Sequence, residues 1–83
     1  MISTADITKS IIDRTSGIVD KLKAERVYKA SGIEIDDSGK ISLTKNAEET
    51  LNSLIENLIN EGGVIAKIML NNLSKEKGVK IFE

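Results

Sequence analysis

The sequence predicts a small α+β domain over residues 1–83: a long N-terminal helix, a β-hairpin, two further helices and a short C-terminal strand. Three observations predict it. Leu51, Leu54, Ile55, Leu58 and Ile59 recur at i, i+3, i+4, i+7 and i+8, the apolar stripe of an amphipathic helix. Strict alternation on both sides of Asp36-Asp37-Ser38-Gly39 marks two short strands joined by a tight turn. Upstream, Ile7, Ile11, Ile18 and Leu22 form a second helical stripe.

Residues 3–30 read as the long helix. Ser3 or Thr4 caps its first turn, with Asp6 where a carboxylate favours a helix N-terminus. Ile12 and Val19 widen the stripe to one side, and Thr15-Ser16-Gly17 interrupts it with an expected kink. Gly32 suits the left-handed position after a C-cap. The hairpin register follows from the alternation: Asp36 faces Lys40, Ile35 faces Ile41, Glu34 faces Ser42 and Ile33 faces Leu43, so the four apolar side chains share one face. Such a ribbon is marginal alone, so its apolar face must lie on helices or join more strands.

Asn46 caps the central helix and Glu49 completes a capping box. Gly62-Gly63 divides residues 46–61 from residues 64–77 or else kinks one continuous helix, the second segment turning Val64, Ile65, Ile68, Met69 and Leu73 inward. Gly78 stops it, and Val79-Lys80-Ile81-Phe82 alternates as the short C-terminal strand.

Composition narrows the function. Without cysteine or histidine there is no disulfide, no thiol or imidazole nucleophile, and no nitrogen or sulfur ligand set for zinc. No glycine-rich phosphate loop is present, so no enzymatic role and no cofactor are expected. A net charge of -1 argues against a general polyanion binder, yet charge is segregated. Residues 47–62 carry Glu48, Glu49, Glu56 and Glu61 and no basic side chain, whereas residues 1–30 and 63–83 are mildly basic. No apolar run approaches the roughly 18 residues that would span a bilayer. MISTADITKS lacks the basic start and apolar stretch of a secretory signal, so no membrane association and a cytoplasmic location are expected.

Aliphatic surface in excess of what one small core can close predicts a homo-oligomer, most simply a dimer. The expected function is a non-enzymatic protein–protein interaction or assembly module that self-associates. Ile7, Ile11, Ile18 and Leu22 on the first helix and Ile65, Met69 and Leu73 on the last are the expected self-association residues.

Two likenesses bear on the turn and on the strand that follows it. Glu34, Asp36, Ser38, Gly39, Ile41 and Ser42 are spaced as in an EF-hand calcium loop, but the twelfth position, which needs a bidentate carboxylate, is Lys45, so an ordinary hairpin turn is expected. Lys40-Ile41-Ser42-Leu43-Thr44 followed by helix, Gly-Gly and helix resembles the element order of ribbon-helix-helix DNA-binding proteins. That resemblance implies an alternative function, a dimeric DNA-binding transcriptional regulator, with Lys40, Ser42 and Thr44 aimed at the bases. It also implies phosphate held by backbone amides near Gly63 and Val64. A lesser likeness, to an archaeal histone, covers residues 66–81, a helix running into a short basic strand.

Overall fold

The computed structural model describes residues 3–78, which form α1 (Thr4–Thr15), α2 (Lys21–Ser31), β1 (Ile33–Ile35), β2 (Ile41–Leu43) and α3 (Ala47–Lys77). Each helix starts at a short polar side chain that accepts a hydrogen bond from a free N–H of the first turn. The Asp6 N–H donates to Ser3 Oγ at 3.1 Å, the Lys23 N–H to Asp20 Oδ1 at 2.9 Å and the Glu49 N–H to Asn46 Oδ1 at 2.8 Å.

The element order is helix, helix, hairpin, helix, which corrects the long N-terminal helix expected over residues 3–30. The N–H groups of Ile18 and Val19 both return to the Thr15 carbonyl, closing α1, and Asp20 opens a separate helix. The break lets α1 and α2 each pack on α3, which one straight rod could not do. After the hairpin, the division expected at Gly62-Gly63 is present: α3 consists of two helical arms joined across a kink where Gly63 takes φ 59° and ψ -134°. The sheet of the described residues has two strands, and the expected strand at Val79-Lys80-Ile81-Phe82 lies outside those residues.

The hairpin has the register written in its sequence: Ile33 pairs with Leu43, Glu34 with Ser42 and Ile35 with Ile41. Asp36 organises the turn, its Oδ1 accepting from the N–H and hydroxyl of Ser38 and from the Lys40 N–H. These bonds, led by the Ser38 hydroxyl, hold the Asp36 carboxyl below the ordinary aspartate range. Gly32 ends α2 at φ 83°, and its carbonyl accepts both the N–H and the hydroxyl of Thr44, clamping the hairpin base to α2.

One aliphatic core joins the helices: Ile11 and Ile12 of α1, Val27 of α2, Ile33 of β1, and Leu54, Ile55, Leu58, Ala66, Met69, Leu70 and Leu73 of α3. Both arms of α3 therefore face inward. The buried hydroxyls of Thr8, Thr15, Ser31 and Thr50 each donate to the carbonyl four residues earlier, so polar groups enter the core already satisfied. Tyr28 Oη donates to the Ile12 carbonyl at 3.2 Å and Asn57 Nδ2 donates to Ser31 Oγ at 3.0 Å, tying α2 to both neighbours.

The cap that divides α1 from α2 gives a direct test. Asp20→Ala should lower stability by about 1 kcal/mol, as removal of an N-cap side chain does elsewhere. Urea unfolding would measure it, and an unchanged midpoint would show that Asp20 does not start α2.

Candidate interaction surface

An unbroken α3 would carry Leu54, Leu58, Gly62 and Ile65 along one face, by the four- and three-residue steps of a helix. Gly63 breaks that phase. Its φ and ψ lie in a region that side chains with a Cβ rarely enter, so α3 resumes with Ala66 rather than Ile65 turned to the core. Gly62 is confined for a different reason. A Cβ there would lie 2.8 Å from the Ala66 Cβ and 3.7 Å from Val19 Cγ1, so the connector after α1 passes close to the bend.

The consequence is an apolar patch on the outside. Val64, Ile65 and Ile68 are 70%, 57% and 56% exposed, where the sequence pattern turned all three inward. Ile68 lies four residues after Val64 and three after Ile65, so it adjoins both on the helix surface. Beside and beyond it the exposed polar positions of α3 are Lys67, Asn71, Asn72, Lys75, Glu76 and Lys77. Before it stand the exposed Glu49, Asn52, Glu56, Asn60 and Glu61. The patch sits between an acidic arm and a basic arm of the same helix.

Leu22, in the first turn of α2, is 73% exposed. Ser31 meets Asn57 and Arg26 meets Glu61 at 4.0 Å, so α2 runs antiparallel to the first arm of α3, and one more turn carries Leu22 toward the bend. Of the other residues expected to self-associate, Ile65 is exposed, Ile7 and Ile18 pack against the core, and Ile11, Met69 and Leu73 are buried within this chain. The stripes were legible, but for these three the covering surface is intramolecular. Val64 and Ile68 were missed as surface residues; the signal available was Gly-Gly at the point where the apolar phase changes.

Lys40, Ser42 and Thr44 occupy exposed alternate positions along the second half of the hairpin. Glu34 pairs with Ser42 and so shares its face, which places a carboxylate among these three. The Thr44 hydroxyl is engaged with the Gly32 carbonyl. One edge of β2 is occupied by β1 of the same chain. Gly63 and Val64, the expected phosphate-holding pair, lie within the bend of α3.

Two further features are structural in character. Arg14 grips Glu76 through two hydrogen bonds of 2.6 and 2.8 Å, fastening the last turn of α3 to α1. The same bonds hold the Glu76 carboxyl below, and raise the Arg14 guanidinium above, their ordinary values. Because the folded Glu76 value lies below the unfolded one, this stabilisation is present above the ordinary glutamate range and is lost as pH falls through the folded value. NMR titration should show Glu76 ionising at lower pH than a free glutamate, and Arg14→Ala should remove that displacement; an unchanged Glu76 titration in the variant would contradict the pairing. An open groove of about 920 Å³ runs between α2 and β1, walled by Asp20, Glu25, Tyr28, Ile35 and Asp36 among others.

Among the described residues, no cluster of three or more acidic side chains is placed to hold a metal ion, and no helix is long and apolar enough to cross a membrane. No protein-family model matches this chain, and no curated protein or solved structure matches it.

Proposed function

We propose that this chain is a non-enzymatic assembly module that associates with a second copy of itself through the outer face of α3 at Val64, Ile65 and Ile68. The observation that carries the reading is the bend at Gly63, which turns three adjacent aliphatic side chains into solvent while Ala66, Met69, Leu70 and Leu73 fill the core beneath them. Each of the three keeps more than half of its surface in water. Contiguous exposed apolar surface of this kind, rimmed by polar residues, marks contact sites.

The size of the patch sets the strength expected. Burying a Val or Ile side chain fully is worth about 1.5–3 kcal/mol, so a little over half of that gain remains for each of these three. Across a two-fold axis each residue counts twice, giving roughly 5–11 kcal/mol before the cost of association, which is itself on the order of 4–15 kcal/mol. The dimer is therefore weak and concentration-dependent.

Sedimentation equilibrium up to about 1 mM, a range chosen to populate a weak complex, tests it. The weight-average mass should rise from 9.0 kDa toward twice that value. A mass of 9.0 kDa throughout would overturn the proposal. A parallel measurement with labelled random duplex at low and moderate salt addresses the DNA-binding alternative. Salt-sensitive binding that disappears on replacing Lys40, Ser42 and Thr44 by alanine would replace the assembly reading with the regulator.

A further inference from the structure

We infer that the groove between α2 and β1 takes an extended peptide in which aliphatic and basic residues alternate, the peptide adding to β1 as a third strand. The site lies on other elements than the outer face of α3 and does not depend on self-association. Among the described residues the sheet has only β1 and β2, so one edge of β1 carries no strand. The direction of its backbone groups follows from the hairpin bonds. The Thr44 N–H donates to the Gly32 carbonyl and the Asp36 N–H donates to the Lys40 carbonyl, so positions 32 and 36 turn toward β2. Glu34, paired with Ser42 midway between them, does the same. Ile33 and Ile35 therefore turn their N–H and carbonyl groups to the open edge. Ile33 is 3% exposed and Ile35 41%, so Ile35 carries the pairing with an incoming strand.

The groove opens on that edge. Ile33, Glu34, Ile35, Asp36 and Asp37 line it, consecutive residues whose side chains alternate between the two faces of the hairpin, and no residue of β2 does. On the opposite wall α2 contributes Ala24 and Tyr28, four residues apart and so on one side of the helix. An open strand edge facing such a wall holds an extended peptide by strand addition, backbone bonds supplying affinity and alternate side chains supplying specificity.

Alternation also assigns the chemistry of the peptide. Its side chains fall on the same two faces as those of β1. One face holds Ile33 and Ile35 and suits aliphatic residues. The other holds Glu34, and Glu25 and Asp37 stand on the same groove wall. All three are exposed, and none enters a salt bridge among the described residues, where the ion pairs join Arg14 to Glu76 and Arg26 to Glu61. With Asp20 and Asp36 the groove has five carboxylates against the two ammonium groups of Lys21 and Lys29, so its charge complement is basic. A second copy fits this edge worse. Pairing β1 with β1 would set Glu34, Asp36 and Asp37 of both copies side by side, and like charges across strands destabilise.

Titrating the isotope-labelled chain with a capped Lys-Val-Lys-Val-Lys peptide, followed by NMR to about 2 mM so that a weakly held segment is populated, tests this. The amide signals of residues 33–37 should move along one binding curve. Hydrogen exchange at the Ile35 N–H should slow by roughly fivefold or more once most of the chain is in complex. Glu34→Lys, at an exposed position, should stay folded by circular dichroism and bind the peptide roughly fivefold more weakly. A capped Glu-Val-Glu-Val-Glu peptide should bind more weakly still. No movement of residues 33–37 would overturn the inference. So would an Ile35 N–H that exchanges as fast in the complex as in the free chain, or an acidic peptide that binds as tightly as the basic one. Movement of the same signals on raising the protein concentration without peptide would give the edge to a second copy and overturn it as well.

Discussion

Ile68→Asp should leave this chain folded and reduce its self-association by at least about 100-fold. Ile68 is more than half exposed in the single chain, so a carboxylate there remains solvated in the monomer and costs the fold little. In the proposed dimer the substitution appears twice, each time burying an unpaired charge within the apolar contact. Breaking the solvation of a charge without supplying a partner costs several kcal/mol, and each 1.4 kcal/mol is about tenfold in the equilibrium constant. Sedimentation equilibrium on the variant measures the effect, with thermal unfolding as the control for the fold. A variant that dimerises as well as the unaltered chain would move the contact away from this face. Lys67→Ala, at an exposed position to one side of the patch, is the matched substitution that should change association little.

Gly63→Ala carries the largest stability effect expected at the surface of the molecule. Gly63 sits at φ 59° and ψ -134°, with open space where its Cβ would be, so the penalty is conformational and not steric contact with a neighbour. Holding an L-residue in a sparsely populated backbone region costs about 1–3 kcal/mol. The alternative open to the variant is to straighten α3, which would bring Ile65 round toward the core and displace Ala66. Either route lowers stability, and the second also dismantles the patch. The variant should therefore unfold at lower urea concentration than the unaltered chain. Equal or greater stability would show that α3 runs through position 63 as an ordinary helix, and the origin assigned to the exposed face would be wrong.

How much of this was legible in the sequence depended on whether the governing signal was local. Ser3 and Asn46 each announce a cap, Gly32 and Gly78 each take the left-handed turn after a helix, and the hairpin register follows from alternation around Asp36 and Gly39. In all of these a side chain acts on backbone within four residues. The split of the N-terminal helix was misread because the stripe Ile7, Ile11, Ile18 and Leu22 continues in phase across it. Gly17 drew attention as a kink, yet its φ is not positive; the separating signal was Asp20, an N-cap without an acidic residue three positions later. The outer face of α3 was hidden for another reason. The segment after Gly62-Gly63 offers two overlapping apolar stripes, one through Val64, Ile65, Ile68 and Met69 and one through Ala66, Met69, Leu70 and Leu73, and which of them meets the core is set by the backbone at Gly63 and not by periodicity. Which residues cover Met69 and Leu73, the same chain or another, is a matter of tertiary packing that periodicity does not carry.

The central claim is that a second copy covers Val64, Ile65 and Ile68, and methyl NMR over a dilution series reads those side chains individually. On raising the concentration, the methyl signals of Val64, Ile65 and Ile68 should shift together along one binding curve, while those of the buried Leu54, Leu58 and Leu70 stay fixed. Shifts confined to the hairpin residues Ile35, Ile41 and Leu43, or no concentration dependence at any methyl, would contradict it.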